Sequence, residues 1–320
     1  MQKTRKAGPT MQECLQIISF GNTDKQKLKK FVDFHWTLYK DDPQYVPLLN
    51  YEYLGFGLIG MTGFFEPKNP FFEHAEIQFF LAEKNNKIVG RCYAFINYNH
   101  NKHWDDRTGF FGGFESVDDP VVAKTLLQHA EEWLGNKGMD TLRGPQHLPV
   151  NEATPGCLVD GFDSRPVLYY HYNKPYYADL LKDAGLEKVK GILSWEIPVM
   201  NEMEDKLKRV AEKVIDRFDL TFEHWDERPL SIRKQEMLDI YNDAWSDNFG
   251  FVPFTRKEFY AIVNDMMLIM EKNLFMFIYV NGEPAAFFGG VLNVAERMVP
   301  IKWCTSLRIA ARFENDPEQK

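Results

Sequence analysis

The stretch Gly109–Pro120, GFFGGFESVDDP, sets glycines and aromatics directly before three carboxylates, Glu115, Asp118 and Asp119, where a strand-like run meets a helix-like one. Amides at a helix start attract phosphate, whereas three acids repel it and can cap those amides themselves. A second concentration of polar groups lies in NEATPGCLVDGFDSRPVLYYHYNKPYY, residues 151–177. There Asn151, Glu152, Asp160, Asn173 and the hydroxyls of Tyr172, Tyr176 and Tyr177 are spaced by Pro and Gly. Such groups can converge on a pocket; ordinary turn chemistry, with Asn and Asp bonding nearby amides, accounts for the same spacing. The run HNKHWDD offers His100, His103, Asp105 and Asp106 as ligand types. With no cysteine partner and no helix to hold the spacing, it reads as a solvated hairpin loop, and no metal is expected. Arg143, in RGP at a strand end, is expected to pair with Glu115, the alternative being a phosphate.

These residues need a scaffold, and the chain can build one. It has 320 residues, 44% of them hydrophobic, with 26 Phe, 14 Tyr and 7 Trp, enough for one large domain or two ordinary ones. Aromatic cores are the default reading of that composition, ahead of a pocket for an apolar substrate. The net charge of −8 without a dominant basic cluster argues against a nucleic-acid partner. The opening MQKTRKAGP lacks the apolar core of a signal peptide and no apolar run reaches spanning length, so a soluble, cytoplasmic chain is expected. Cys14, Cys92, Cys157 and Cys304 are too scattered for a disulfide framework.

Along the chain, residues 13–20 read as a strand and 23–40 as a helix capped by Thr23 or Asp24. An aromatic, Gly- and Pro-rich segment follows, a lid or wall that could hold one short helix. Three strands come next, at 75–85, 87–99 and 107–116, with Asn85-Asn86 as a hairpin turn and NHNKHWDD, 99–106, as a link. A helix at 120–138 begins at Pro120 and ends at Gly138, and a strand starts at 140–146. A long loop over 145–173 invites functional suspicion. A helix at 174–185 and a strand at 186–198 close an α+β domain. The pattern then begins again: a helix at 201–218, a strand at 220–227, helices at 231–246 and 255–272, and a hairpin turning on Asn281-Gly282. This reads as a divergent structural repeat. The expected organisation is a flexible tail (1–10), a first domain (11–198) and a second (199–320). Basic residues from Lys302 to Arg312, interleaved with Trp303, Leu307, Ile309 and Phe313, could form an amphipathic helix touching anionic lipid, or a helix packed on its own domain.

Several separated motifs, in order, carry a family resemblance: NPFFEHAEIQFFLAEKNNKIVGRCYAFIN, GFFGGFESVDDP, the RGP of 143–145, and NEATPGCLVDGFDSRPVLYYHYNKPYY. Over about residues 11–290 the chain resembles the bacterial ceramide synthase-like, or YghO-like, family, which is related to GNAT acyltransferases. The resemblance implies α+β, tandem GNAT-like domains with mixed, mostly antiparallel sheets flanked by helices. It also implies transfer of a fatty acyl group from acyl-CoA to a long-chain, sphingoid-like amine, hence a small-molecule or lipid partner. A peripheral place at the inner membrane face, which the basic run 302–312 would suit, is the alternative to a purely cytoplasmic one. GNAT folds hold the CoA pyrophosphate on a glycine-rich turn at a helix N-terminus. Here that position reads FESVDDPVV in the first half, and no such turn follows the hairpin in the second, which looks truncated or diverged.

Amide formation from a thioester needs a deprotonated amine, an oxyanion contact and a proton for the leaving thiolate. On the resemblance, Glu73 and His74 of the EHAE motif are base or substrate anchor, with turn capping as the alternative. Asn151, Glu152 and Asp160 would bind the ammonium and hydroxyls of an amino-alcohol, Glu152 also as a catalytic carboxylate. Tyr172, Asn173, Tyr176 and Tyr177 would line the acyl site or donate a proton, with packing of the following helix as the alternative. A reading of another class is a non-catalytic, GNAT-derived module that grips a lipid or protein.

Overall fold

The computed structural model describes residues 15–57, 61–151, 153–167, 169–195, 205–267 and 270–293. The described residues divide into two compact units, one through Leu186 and one over Glu187–Asn293.

The first unit is built on a five-stranded sheet in the order β1-β2-β3-β4-β5, formed by Leu15–Phe20, Ala75–Lys84, Lys87–Asn97, Thr108–Ser116 and Thr141–Arg143. The first four strands pair antiparallel and β5 pairs parallel to β4. The middles of β2 and β3, residues 79–82 and 92–96, are continuously apolar because both faces of the sheet are covered there. On one face, Phe80, Ala82, Cys92, Ala94, Phe111 and Phe114 pack on helices α4 (Pro120–Asn136) and α5 (Tyr177–Asp183). On the other, Ile77, Phe79, Tyr93, Phe95 and Phe110 pack on helix α1 (Lys25–Leu38) and on Phe65 and Phe71 of the wall segment. That segment holds one short helix, α2 (Asn50–Leu54).

Local chemistry sets the boundaries. Asp24 caps α1 by accepting from the Lys27 amide at 3.0 Å, and Leu28, Phe31, Val32 and His35 form its buried stripe. Asp119 caps α4 ahead of Pro120, and Gly138 takes the left-handed conformation beyond it. Asn85 and Asn86 both have positive φ, as a two-residue hairpin turn requires.

The second unit repeats this order. Strand β6 (Leu220–His224) is followed by helices α7 (Leu230–Ala244) and α8 (Arg256–Met266), then by a hairpin of β7 (Met276–Val280) and β8 (Glu283–Phe288) turning on Asn281-Gly282. The sheet order β6-β7-β8 reproduces β1-β2-β3. Helix α6 (Asp205–Arg217) precedes β6. The core holds Trp225, Met237, Phe259, Phe277 and Tyr279 together with a fully buried Arg233. Its guanidinium donates to Glu223, Glu236, the Tyr279 hydroxyl and the backbone of His224 and Trp225, so no donor is left costly and unpaired.

Three expectations are corrected. Residues 98–104 are a helix, α3 (Tyr98–Trp104), and not a solvated loop. Asn97 caps it by accepting from the amides of Asn99 and His100, and Asp105 ends it in the left-handed conformation. His100 is buried against Phe110, with Asp106 at 3.5 Å. The strand expected over 186–198 is not formed at residues 186–195, which find no pairing partner among the described residues. Glu115 lies within β4, not at a helix start, and its cationic neighbour is Arg91 and not Arg143.

Two adjacent glycines are required in β4 for different reasons. A Cβ on Gly112 would stand 1.8 Å from the Gln146 carbonyl oxygen, whereas Gly113 has φ +53° and would press on the Tyr93 ring. Gly112→Ala should therefore destabilise the first unit at or beyond the upper end of the ~1–3 kcal/mol typical of core overpacking. Gly138→Ala, with positive φ but open space around it, should cost only about 1–2 kcal/mol. Urea unfolding of the two variants tests that order; equal midpoints would show that β5 and its continuation give way freely.

Candidate functional site

The site grows from the bulge at Gly113. Regular alternation would put residue 115 on the same face as Phe111. The register shift between Arg91 and Tyr93 instead puts Phe114 on the face of Phe111 and turns Glu115 toward α1, opposite Arg91. Glu115 is then buried, and its Oε2 accepts from the Tyr39 hydroxyl at 2.7 Å and the Tyr177 hydroxyl at 2.5 Å. The Arg91 guanidinium stands 3.8 Å from Oε1 and donates to the carbonyls of Phe31 and Val32. Burial pushes the Glu115 carboxyl up, and Arg91, Tyr177 and Tyr39 oppose that push.

Outward from this carboxylate runs a stack of rings. Tyr39 lies face to face with Tyr45 at 3.8 Å, and Tyr172 stands about 6 Å from both rings. Lys174 sits 4.8 Å over the Tyr39 ring and 2.9 Å from Asp42, which also accepts from the Tyr172 hydroxyl. Next to these groups opens a cavity of about 510 Å³ whose lining includes Thr37, Asp41, Gln44, Phe162, Tyr172 and Lys174. The lining sets two carboxylates, Asp41 and Asp42, beside two ammonium groups, Lys40 and Lys174, with hydroxyl and amide groups and two aromatic rings. Lys174 already neutralises Asp42, and such a concavity suits a small polar head.

Four histidines surround the core of the unit. His35, fully buried, lies against Trp36 and Tyr45, and His147 stacks on His171 with ring centres 3.6 Å apart. Burial pushes His100 and His147 down to about 4 and His35 and His171 well below their usual value, so all four are neutral at pH 7. Glu52 on α2 is shifted the other way, raised by burial to about 7.

The residues singled out in the sequence separate into groups. Tyr172 lines the cavity, and Tyr176 and Tyr177 reach Glu115 and Ser116 from α5. Asn173, fully buried, ties the long loop together by bonding Leu158 and Lys174 backbone groups, and the exposed Asp160 caps its own turn at Gly161. Asn151 lies in a turn of the same loop, and Glu152 lies outside the described residues. Glu73 and His74 end a single 3-10 turn before β2, where His74 Nδ1 meets Asn97 Oδ1 at 3.1 Å. Asn97 stands six residues along β3 from Arg91, so this pair lies roughly 20 Å along the sheet from Glu115. Reasoning from the sequence passed over Tyr39, Tyr45, Asp42 and Lys174, and read Glu115 as a cap. The usable signal was a lone acid two residues beyond a Gly-Gly pair in an otherwise apolar strand.

The start of α4 does not fit a pyrophosphate. The Asp119 carboxylate accepts from the Val121 amide at 2.9 Å, Pro120 has no amide proton, and Asp118 adds a further negative charge. The corresponding stretch of the second half, after Asn293, lies outside the described residues, as does the basic run 302–312. Among the described residues no group of three or more metal-ligand side chains forms, and no helix is long and apolar enough to cross a membrane.

Comparison with known proteins supplies the setting. No family model matches the chain. It is 30% identical over 279 residues to protein YghO of Escherichia coli (strain K12), covering 87% of this chain and 69% of that protein. The chain belongs to the bacterial ceramide synthase-like (YghO-like) family. A bacterial ceramide synthase of Caulobacter vibrioides (strain NA1000 / CB15N) is 29% identical over 282 residues, 86% of this chain and 70% of the relative. A solved tandem GNAT protein from the clavulanic acid biosynthesis pathway covers 93% of each chain at 10% identity, with a TM-score of 0.44. The α+β class and tandem order expected of a YghO-like chain are those of its two units.

In this YghO-like fold, removal of the Glu115 carboxylate leaves Arg91 buried without its acidic neighbour. Glu115→Ala should cost about 3–5 kcal/mol, and Tyr177→Phe, which removes one hydrogen bond to a charged group, about 1.5–3 kcal/mol. Denaturant unfolding followed by tyrosine and tryptophan fluorescence reads both. Glu52 gives a pH-dependent counterpart. Its raised folded value means that its contribution is full below its usual 4.5 and is lost as pH rises to about 7. Relative to the parent, Glu52→Gln should therefore gain stability between pH 4.5 and 8, by on the order of 3 kcal/mol at most. A pH-independent difference would show that the carboxyl is solvated.

Proposed function

We propose that this chain is part of an N-acyltransferase that transfers a fatty acyl group from acyl-CoA to a long-chain, sphingoid-like amine, and that the first unit receives the amine. The observation that carries the reading is the cavity beside Tyr172. Asp41 offers a carboxylate to an ammonium head, Gln44 and Thr37 offer partners to neighbouring hydroxyls, and Phe162 and Tyr172 supply apolar walls. Identity of 29–30% to a bacterial ceramide synthase and to YghO supports the reaction class. The capped start of α4 supports the division of labour, because a helix start whose amide is already taken by its own Asp119 carboxylate has little left to offer the pyrophosphate of the thioester carrier.

Purified protein is incubated with acyl-CoA and a series of long-chain amines, and free thiol and amide product are followed. Amide formation is expected with amino-alcohols, and Asp41→Asn combined with Tyr172→Phe should raise KM for the amine at least ten-fold with little change in KM for the thioester. Amine binding by calorimetry without turnover would favour the non-catalytic lipid-gripping module. Neither binding nor turnover in a folded protein would sink both readings.

A further inference from the structure

Helix α6 leaves every one of its residues exposed, although its sequence is sorted by chemistry. Leu207, Val210, Val214 and Phe218 recur at spacings of three and four and make one apolar stripe, with Ile215 at its border. At 100° per residue, Lys206, Lys213 and Arg217 fall along one edge of that stripe and Lys208 along the other. Asp205, Glu212 and Asp216 fall on the opposite side, where Arg209 joins them and donates to the Asp205 carbonyl. A stripe packed into a protein core needs only its apolar residues. Cations along the edges and anions at the back are the complement of a surface that is apolar below and negatively charged at its rim. A second run in the same unit has the same character: Val189, Ile192, Leu193 and Trp195 are exposed, Trp195 at 81%, and Lys188 and Lys190 lie among them. Indole and lysine together suit the headgroup level of a bilayer.

We propose that α6 lies in the interface of an anionic phospholipid membrane, with its apolar stripe among the acyl chains and Lys206, Lys208, Lys213 and Arg217 on the headgroup phosphates. The inference is independent of the reaction proposed above and concerns a part of the chain outside the first unit's cavity.

The test is co-sedimentation of the full chain with vesicles of phosphatidylcholine alone and of phosphatidylcholine with 30% phosphatidylglycerol. Binding is expected to the anionic vesicles and to be lost in high salt. Each cation near the surface strengthens binding roughly five-fold, so a Lys206→Gln, Lys213→Gln, Arg217→Gln variant should bind about a hundred-fold more weakly. Val210→Ser with Val214→Ser should abolish binding while the circular dichroism of the protein stays unchanged. No binding to either vesicle, equal binding to both, or binding that these substitutions leave intact overturns the proposal. Slow hydrogen exchange of the α6 amides without vesicles would instead identify a protein surface as what covers the stripe.

Discussion

The first unit turns on one buried carboxylate. Glu115 belongs to β4, Tyr39 closes α1, Tyr177 opens α5 and Arg91 rises from β3, so four elements meet at one side chain. An ionised carboxylate without partners would not remain in such a place; two hydroxyl donors and a guanidinium make it tolerable there. The same contacts fix geometry. Tyr39 is held by its hydroxyl, its ring carries Tyr45 and Lys174, and Lys174 with Tyr172 fixes Asp42 at the cavity wall. The polar lining of the cavity is thereby referred back to the sheet through consecutive contacts, although the cavity itself is built from a loop and a helix end.

The second unit solves the same problem with the opposite charge. Arg233 on α7 is buried on Phe277 and neutralised by Glu223 and Glu236, joining the helix layer to β6 and β7. Two units with one strand order thus use unrelated central side chains, an acid in β4 and an arginine in α7. Topology of this kind is set by the apolar pattern and the turns, which both halves keep. The polar residue at the centre is free to differ as long as each of its donors and acceptors is met. That freedom explains how the repeat can be visible in element order while the sequences have little in common.

Legibility followed the range of the interactions. The hairpins on Asn85-Asn86 and Asn281-Gly282, the caps Asp24 and Asp119 and the stripes of α1 and α4 are local, and the sequence alone places them. Helix α3 was missed because His100, Asn101, Lys102 and His103 carry no apolar period. Its cap at Asn97 and the packing of His100 on Phe110 form it instead. Glu115 was misread because the bulge that turns it inward depends on Gly113 and on a register with β3 that no single segment encodes. Asp42 and Lys174 come together from positions 132 residues apart, with Tyr39 beside them, so nothing in their spacing could announce the cavity. Of the residues chosen by motif, Tyr172 lines the cavity and Tyr176 and Tyr177 reach Ser116 and Glu115. On the loop, Asn173 and Asp160 serve the backbone, as turn chemistry allows.

The start of α4 connects these points to function. A helix of this length presents a positive N-terminus that could hold an anion, yet Asp119 takes that position from within the chain and Pro120 removes a donor. Asp118 makes the neighbourhood more negative still, whereas at the cavity Asp41 and Asp42 are matched by Lys40 and Lys174. A phosphate at the start of α4 would meet Asp118 and Asp119 and would have to displace the Asp119 cap. The start of α4 is thus closed to a phosphate by the chain's own side chains. The three carboxylates of GFFGGFESVDDP therefore part company: Glu115 turns inward to Tyr39 and Tyr177, Asp119 caps the helix, and Asp118 adds charge outside it.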